Sequence, residues 1–380
     1  MATIDETYRP PRTPVAAVVE PQSWLARNRE TAEAWLFVLP FLVIYVVLQI
    51  YPVLQAALMS LFEWDLLDPT LREFVGLGNY VEMFGATGLT WSLSHLLVWR
   101  IFGLLALIAT GVAAARGTLS RPVAVTLGAA IVLVFGVFLG LHPGPEGAWY
   151  DALFWTSFGN TVLFVMLSTP TIVGVALGLA LVLSRAGRLV GVLRAAFFAP
   201  YVLSVAVLTL IWGFLLNPDL GLIARALTFL GLDPISWLTD PTLALPAIVV
   251  VTLWWTMGFN LVLFIAGLQD IDPPLYEAAS LDGAGAWDKF RHITLPGLRR
   301  TIVLVVVLQV IASFQIFGQV FILTRGGPAN STRVLIQHIY ESGFREFRLG
   351  YAAAQSLFLF IIMLGASAVQ LRLFREADES

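Results

Sequence analysis

Eight stretches of this chain are long and apolar enough to cross a lipid bilayer: 35–60, 92–115, 122–141, 157–183, 195–217, 244–268, 301–323 and 350–371. A spanning helix needs about 20 mostly apolar residues. The first expectation is therefore an all-α polytopic membrane protein with about eight transmembrane helices. Composition agrees: 58% of residues are hydrophobic and only 12% charged, roughly half the charge of a soluble domain. His95 and Arg100 interrupt the start of 92–115, so its lipid core begins nearer Ile101, with Arg100 snorkelling or pairing locally. Pro40, Pro52, Pro170 and Pro246 fall inside the runs; in lipid, neighbouring helices and local adjustments make them tolerable.

Lys and Arg in the connections set the orientation. With the N-terminus inside, the inner segments 1–34, 116–121, 184–194, 269–300 and 372–380 carry fifteen of them and the outer loops six. Both termini are thus expected in the cytoplasm of a multi-pass cell-membrane protein. Loop 324–349 is the exception, with Arg325, Arg333, Arg345 and Arg348 on the outer side. The organisation reads as a proline-bearing cytoplasmic arm (1–34), a first span with its outer loop (35–91), a transmembrane hairpin (92–141), a core (142–371) holding a long inner loop (269–300), and a cytoplasmic tail (372–380). The arm does not read as a signal peptide, because the run after it is far longer than an h-region of roughly 7–15 residues.

Several chemistries are excluded. There is no cysteine, hence no disulfide, thiolate metal site or Cys nucleophile. His95, His142, His292 and His338 are scattered without metal-ligand spacing, and no phosphate-binding glycine loop with Lys and Ser or Thr occurs. No basic cluster suggests nucleic acid. No catalytic centre and no cofactor are expected, and any ATP is bound by another subunit.

The inner loop contains EAASLDGAGAWDKFRHITLP, residues 277–296. Asp272 followed by Pro273 and Pro274 reads as a helix start, a capping carboxylate and then prolines in the first turn. Gly283 and Gly285 end that helix, and a second places Trp287, Phe290 and Ile293 on one stripe beside Asp288, Lys289 and Arg291. From pattern alone, this amphipathic pair rests on lipid or on its own bundle.

The spacing resembles the signature loop of permease subunits of binding-protein-dependent ABC importers: Glu277-Ala278-Ala279, then Gly283, then Ile293-Thr294-Leu295-Pro296. The resemblance implies a coupling helix that docks in a cleft of a separate ATP-binding subunit. Glu277 then makes the charged contact, Gly283 the turn, and Leu295 with Pro296 the junction to the next span. Residues 314–328, FQIFGQVFILTRGGP, resemble sugar permeases of the maltose-transporter type through Thr324, Gly326, Gly327 and Pro328. VGLGNY (75–80), FGNTVLF (158–164) and FFAPYVLS (197–204) look like the same group. The resemblance covers roughly 35–80 and 155–372; the hairpin 92–141 is an addition to that type I importer core. It implies a second homologous permease, two cytoplasmic ATP-binding subunits and an extracytoplasmic sugar-binding protein, with nothing hydrolysed by this chain.

The five spans from 157 onward contain no Asp, Glu, Lys or Arg. Charges within a membrane are costly and functional, so their absence points to a neutral solute, recognised by amides, hydroxyls and aromatic faces. The resemblance places the path on the spans flanking the inner loop, where Thr252, Trp255, Thr256, Phe259, Asn260, Gln315 and Gln319 are the candidates. Packing and interhelical bridging are the alternative roles for such residues. A permease for glycerol-phosphate or another polar solute, or a stand-alone secondary transporter, is the alternative function; the last calls for intramembrane charges or repeats.

Overall fold

The computed structural model describes residues 29–68, 70, 72–92, 97–115, 124–125, 128–129, 131–132, 141–144, 146–184 and 187–376. Two compact units emerge, Met1–Gln55 and Ala56–Ser380. The first unit is helical where described. Helix α1, Arg29–Tyr45, passes through a π turn, Val46–Ile50, into α2, Tyr51–Met59. The run Ala34–Met59 is long and apolar enough to span.

The second unit opens with the end of α2, from Ala56, and continues with a ribbon of β1, Phe62–Trp64, and β2, Arg72–Phe74, followed by α3, Gly78–Phe84. Strand β3, Leu89–Trp91, then pairs with the distant β4, Leu141–Pro143, with Trp91 opposite Leu141. Between them lies α4, Leu97–Ala115, with an apolar segment at Gly103–Val112. The expected span 122–141 falls mostly outside the described residues. Arg100 does pair locally: its Nη2 donates to Ser92 O at 2.9 Å and its guanidinium lies 5.0 Å from the Trp91 ring centroid.

The helical core follows: α5, Ala152–Leu183; α6, Arg188–Phe198; a 3₁₀ turn, Ala199–Val202; α7, Val205–Leu215; α8, Leu222–Phe229; and α9, Ala244–Gln269. The inner loop gives α10, Pro273–Leu281; α11, Ala286–Lys289; a π turn, Phe290–Thr294; and α12, Leu295–Gly297. The chain ends with α13, Arg299–Phe314; α14, Gly318–Leu323; α15, Leu335–Phe344; and α16, Leu349–Glu376.

Among the described residues, four helices are long and apolar enough to cross a membrane, or six if each of two bent pairs is one span. One of these bent pairs and a break after Phe314 refine two expectations. Residues 195–217 do not form one straight span: Leu189–Val202 and Val205–Leu215 meet at 104°. Pro200 lacks the N–H that an unbroken helix needs, and the Ser204 hydroxyl accepts from Val207 N at 3.4 Å, starting a new helix. The span expected at 301–323 is helical over Arg299–Phe314, breaks at 315–317, and resumes as the short α14.

α9 is the central helix, packed most extensively against α5. The buried face of α5 mixes Phe154, Phe164 and Ile172 with small or polar residues, Ser157, Thr161, Ser168, Ala176 and Ala180. Small residues let membrane helices approach closely, where packing rather than hydrophobicity drives association. Leu245, Ile248 and Val249 at the start of α9 pack with Ile316, Val320 and Val334, whereas Leu261, Phe264 and Ile265 near its end pack with Ala176, Ala180 and Val305. The unit thus has two ends. One carries 61–91, 141–151 and 324–349; the other carries the inner loop.

Ion pairs at the first end engage three of the four arginines of 324–349. Arg333 pairs with Glu341, Arg345 lies 3.6 Å from Glu341, and Arg348 grips Glu82 with two hydrogen bonds of 2.8 and 2.5 Å. Those bonds hold the Arg348 pKa above its ordinary value, against the opposing effect of burial. These arginines are matched by acids within the chain, which weakens them as orientation signals.

Candidate functional site

The inner loop folds into the two short helices that the sequence suggests. Asp272 stands at the N-cap of α10, but its carboxylate makes no capping bond. Pro273 and Pro274 have no N–H to offer; the first available donor, Leu275 N, bonds instead to Asp272 O at 3.1 Å. At the other end, Ala284 N donates to Ala279 O at 2.9 Å and Gly283 N to Ser280 O at 3.2 Å. This is a Schellman termination, and it requires the left-handed backbone that Gly283 adopts, φ +79°. The second helix starts where Gly285 N donates to Asp288 Oδ2 at 3.2 Å. It runs through the π turn into Leu295 and Pro296.

Two side-chain bonds clamp the helices together. Tyr276 and Thr294 hydroxyls are 2.9 Å apart, and Lys289 Nζ donates to Ser280 Oγ at 2.7 Å. Neither Tyr276 nor Lys289 belongs to the motif residues; only their spacing across the glycine turn hints at the pairing. The loop is also pinned to its flanking spans. A Cβ on Gly267 would lie 2.3 Å from Thr301 Oγ1, and one on Gly297 would lie 2.8 Å from Ile271 Cδ1. The outward surface mixes a charge with apolar side chains. Glu277 and Ala278 are exposed, Ala279 and Ile293 half-buried, and Leu281 and Trp287 are 89% and 67% exposed. Among the described residues, the Glu277 carboxylate makes no hydrogen bond or ion pair. The loop is held together internally and leaves Glu277, Leu281 and Trp287 facing outward.

The transport-path candidates are divided by the structure. Thr252, Thr256 and Asn260 share one stripe of α9, and each returns a hydrogen bond one turn back, to Ile248, Thr252 and Thr256 O. The Asn260 amide also donates to Gln309 Oε1 on α13 at 3.0 Å, Gln309 Nε2 donates to Ser313 Oγ at 3.1 Å, and Ser313 Oγ lies 3.0 Å from Ser168 Oγ on α5. Trp255 and Phe259 face the 3₁₀ turn: Trp255 Nε1 donates to Leu203 O at 3.2 Å, and Phe259 stacks on Tyr201 with ring centroids 5.0 Å apart. Gln315 is exposed, its amide 3.8 Å from Met363 Sδ, and Gln319 is buried on α14. These residues do not converge on one cavity. A cavity of about 660 Å³ lies elsewhere, lined by Glu63, Glu73, Glu82, Arg348 and Tyr351.

The motif pieces away from the loop have structural duties. Asn160 Nδ2 donates to Asn330 O and Arg333 O at 2.8 and 3.0 Å, and Thr161 Oγ1 accepts from Leu335 N at 2.8 Å, so the 158–164 piece caps α15. Thr324 and Thr332 hydroxyls meet at 2.7 Å across the glycine-proline turn. His338, which looked isolated in sequence, bonds Asp151 Oδ2 at 2.8 Å, and Tyr351 donates to the same oxygen at 2.5 Å. Burial pushes the Asp151 carboxyl up. The bonds from His338, Tyr351 and Phe154 N, with the His338 charge, outweigh that and hold it at about 2 instead of 3.8.

Residues 160–377 match the family described as binding-protein-dependent transport system inner membrane component. The chain belongs to that family. It is a membrane component of a transport system. The lactose transport system permease protein LacF of Rhizobium radiobacter is 34% identical over 234 residues, covering 60% of this chain and 78% of LacF. The sn-glycerol-3-phosphate transport system permease protein UgpA of Agrobacterium fabrum is 36% identical over 225 residues, covering 58% and 76%. A solved bacterial ABC transporter that imports the acidic polysaccharide alginate has a chain of the same fold, with TM-score 0.54, 24% identity, and coverage of 59% of this chain and 80% of that one.

Proposed function

We propose that this chain forms, with a second homologous permease, the membrane pathway of an ATP-driven importer for a neutral mono- or oligosaccharide. Residues 269–300 are its coupling loop, seated in a cytoplasmic ATP-binding subunit. The observation that carries this reading is the loop itself: a clamped helix pair, wedged between α9 and α13, that offers the unpartnered Glu277 beside exposed Leu281 and Trp287. Two ATP-binding subunits engage this loop and its counterpart, and an extracytoplasmic binding protein delivers solute at the opposite end. ATP and the loaded binding protein favour different states of the permease pair, which drives alternating access. The termini lie in the cytoplasm. The pairing of β3 with β4 brings the two ends of 92–140 side by side, in keeping with an inserted transmembrane hairpin.

The uncharged spans and the likeness to LacF support a sugar. The likeness to UgpA supports a second reading, a polyol phosphate bound through backbone or helix-terminus donors. Uptake assays of the assembled transporter in proteoliposomes, with labelled neutral disaccharides and with glycerol phosphate, separate the two. Glu277→Lys and Gly283→Asp are expected to abolish uptake and co-purification of the ATP-binding subunit while membrane insertion persists. Unchanged uptake in both variants would sink the coupling assignment.

A further inference from the structure

The buried side chains Ser168, Ser313, Gln309 and Asn260 form a continuous polar chain across three spans, α5, α13 and α9. All four are nearly inaccessible: Asn260 is 2% exposed, Gln309 5%, Ser313 2% and Ser168 0%. An interhelical hydrogen bond in a membrane protein adds little net stability on average. Such a chain does little for bulk stability. What it fixes is register, because a slip of α13 by one residue would part the Asn260–Gln309 contact and strand both amides in an apolar layer.

The position of the chain gives that register a use. α9 leads into the inner loop and α13 leads out of it. The two spans touch beside the loop at Gly267–Thr301 and Ile271–Gly297. The Asn260–Gln309 bond is a second fastening, nine residues before Gln269 and ten after Arg299, about 14 Å along each helix at 1.5 Å per residue. Two fastenings at different depths prevent the helices from pivoting about the loop. Ser168 extends the second fastening to α5, two residues before Pro170, where the helix loses a backbone bond and is easiest to bend.

We infer that Asn260, Gln309, Ser313 and Ser168 are positioning residues that make α5, α9 and α13 move as one body with the inner loop. On this account Asn260 serves the permease by holding helices, through Gln309, rather than by binding solute. The inference rests on the coupling-loop reading above.

The absence of cysteine allows a direct test by introduced labels. Spin labels on Val182→Cys and Leu304→Cys, both exposed and near the loop end of α5 and α13, report the distance between those helices. A label on Leu281→Cys reports the loop. The full chain is used in complex with its second permease and ATP-binding subunits, with and without ATP plus vanadate. The expected result is a loop label that responds to ATP while the Val182–Leu304 distance stays within about 2 Å, the scale of ordinary helix shifts. In Asn260→Leu/Gln309→Leu, where both amides leave together, the thermal midpoint should stay near wild type, yet the helix distance should shift or broaden on ATP addition. A purely structural role would leave that distance unmoved in the variant. An ATP-dependent change beyond about 2 Å in the wild type, or an unaltered response in the variant, overturns the inference alone. A Leu281 label indifferent to ATP overturns the coupling-loop reading, and this inference with it.

Discussion

Asp151 is the residue whose chemistry the structure defines most sharply. It caps α5 through Phe154 N at 2.8 Å while accepting from His338 and Tyr351. Because its carboxyl titrates near 2 when folded and near 3.8 otherwise, the folded state binds fewer protons there. The stabilisation is therefore complete above about pH 3.8 and is lost as pH falls through about 2. Asp151→Asn should lower stability at neutral pH by ~1–2 kcal/mol and flatten the acid limb of the detergent-solubilised protein's unfolding profile. Nothing in the sequence joins Asp151 to His338, 187 positions away; Asp151 before an apolar run is readable only as a helix cap. Gln319 is the path candidate with a testable claim of its own. Gln319→Leu should raise the solute concentration needed for half-maximal uptake while the ATP-binding subunit still co-purifies; an unaltered concentration dependence would remove it from the path.

At the scale of elements, the sequence was most legible where period and punctuation agree. The inner-loop helices could be read because prolines open α10 and Gly283 closes it. The bend at Ala199–Val202 was not, although Pro200 and Ser204 mark it within 195–217, because hydropathy alone carries no direction. The bend also has a tertiary signature. Gly258 on α9 lies so close to the turn that a Cβ would sit 2.1 Å from Phe197 O, which is backbone and cannot swing aside. Gly258→Leu is expected to force α9 away from the turn, break the Trp255–Leu203 bond and cost about 1–3 kcal/mol of stability, read as a lowered thermal midpoint. Of the path candidates on α9, Thr252, Thr256 and Asn260 fall on one stripe, whereas Trp255 and Phe259 face the 3₁₀ turn. Their partners were not legible, because a period of 3.6 identifies the face of a helix but not which neighbour that face meets.

At the scale of the molecule, hydropathy and the coupling motif together gave the class, while the share of each end came from charge counting. The ion pairs of Arg333, Arg345 and Arg348 show where counting is blind: a matched arginine contributes as much to the tally as a free one. The assembly makes a simple prediction. Mild-detergent purification of the tagged chain should bring down a second permease and an ATP-binding subunit, identified by mass spectrometry, and Gly283→Asp should release only the latter. Loss of both would mean that the loop holds the permease pair together rather than coupling it to ATP.

The ribbon of β3 and β4 has a practical corollary. Trp91 and Leu141 are its last register pair, the spacing that a two-residue Asn-Gly turn closes in an ordinary hairpin. The chain therefore leaves the ribbon after Trp91 and returns to it at Leu141. Replacing 92–140 with Asn-Gly should leave the remaining chain to insert and transport, and lineages could exchange, lengthen or discard such an appendage without rebuilding the machine beneath it. A shortened chain that failed to insert would show instead that the appendage has become part of the frame.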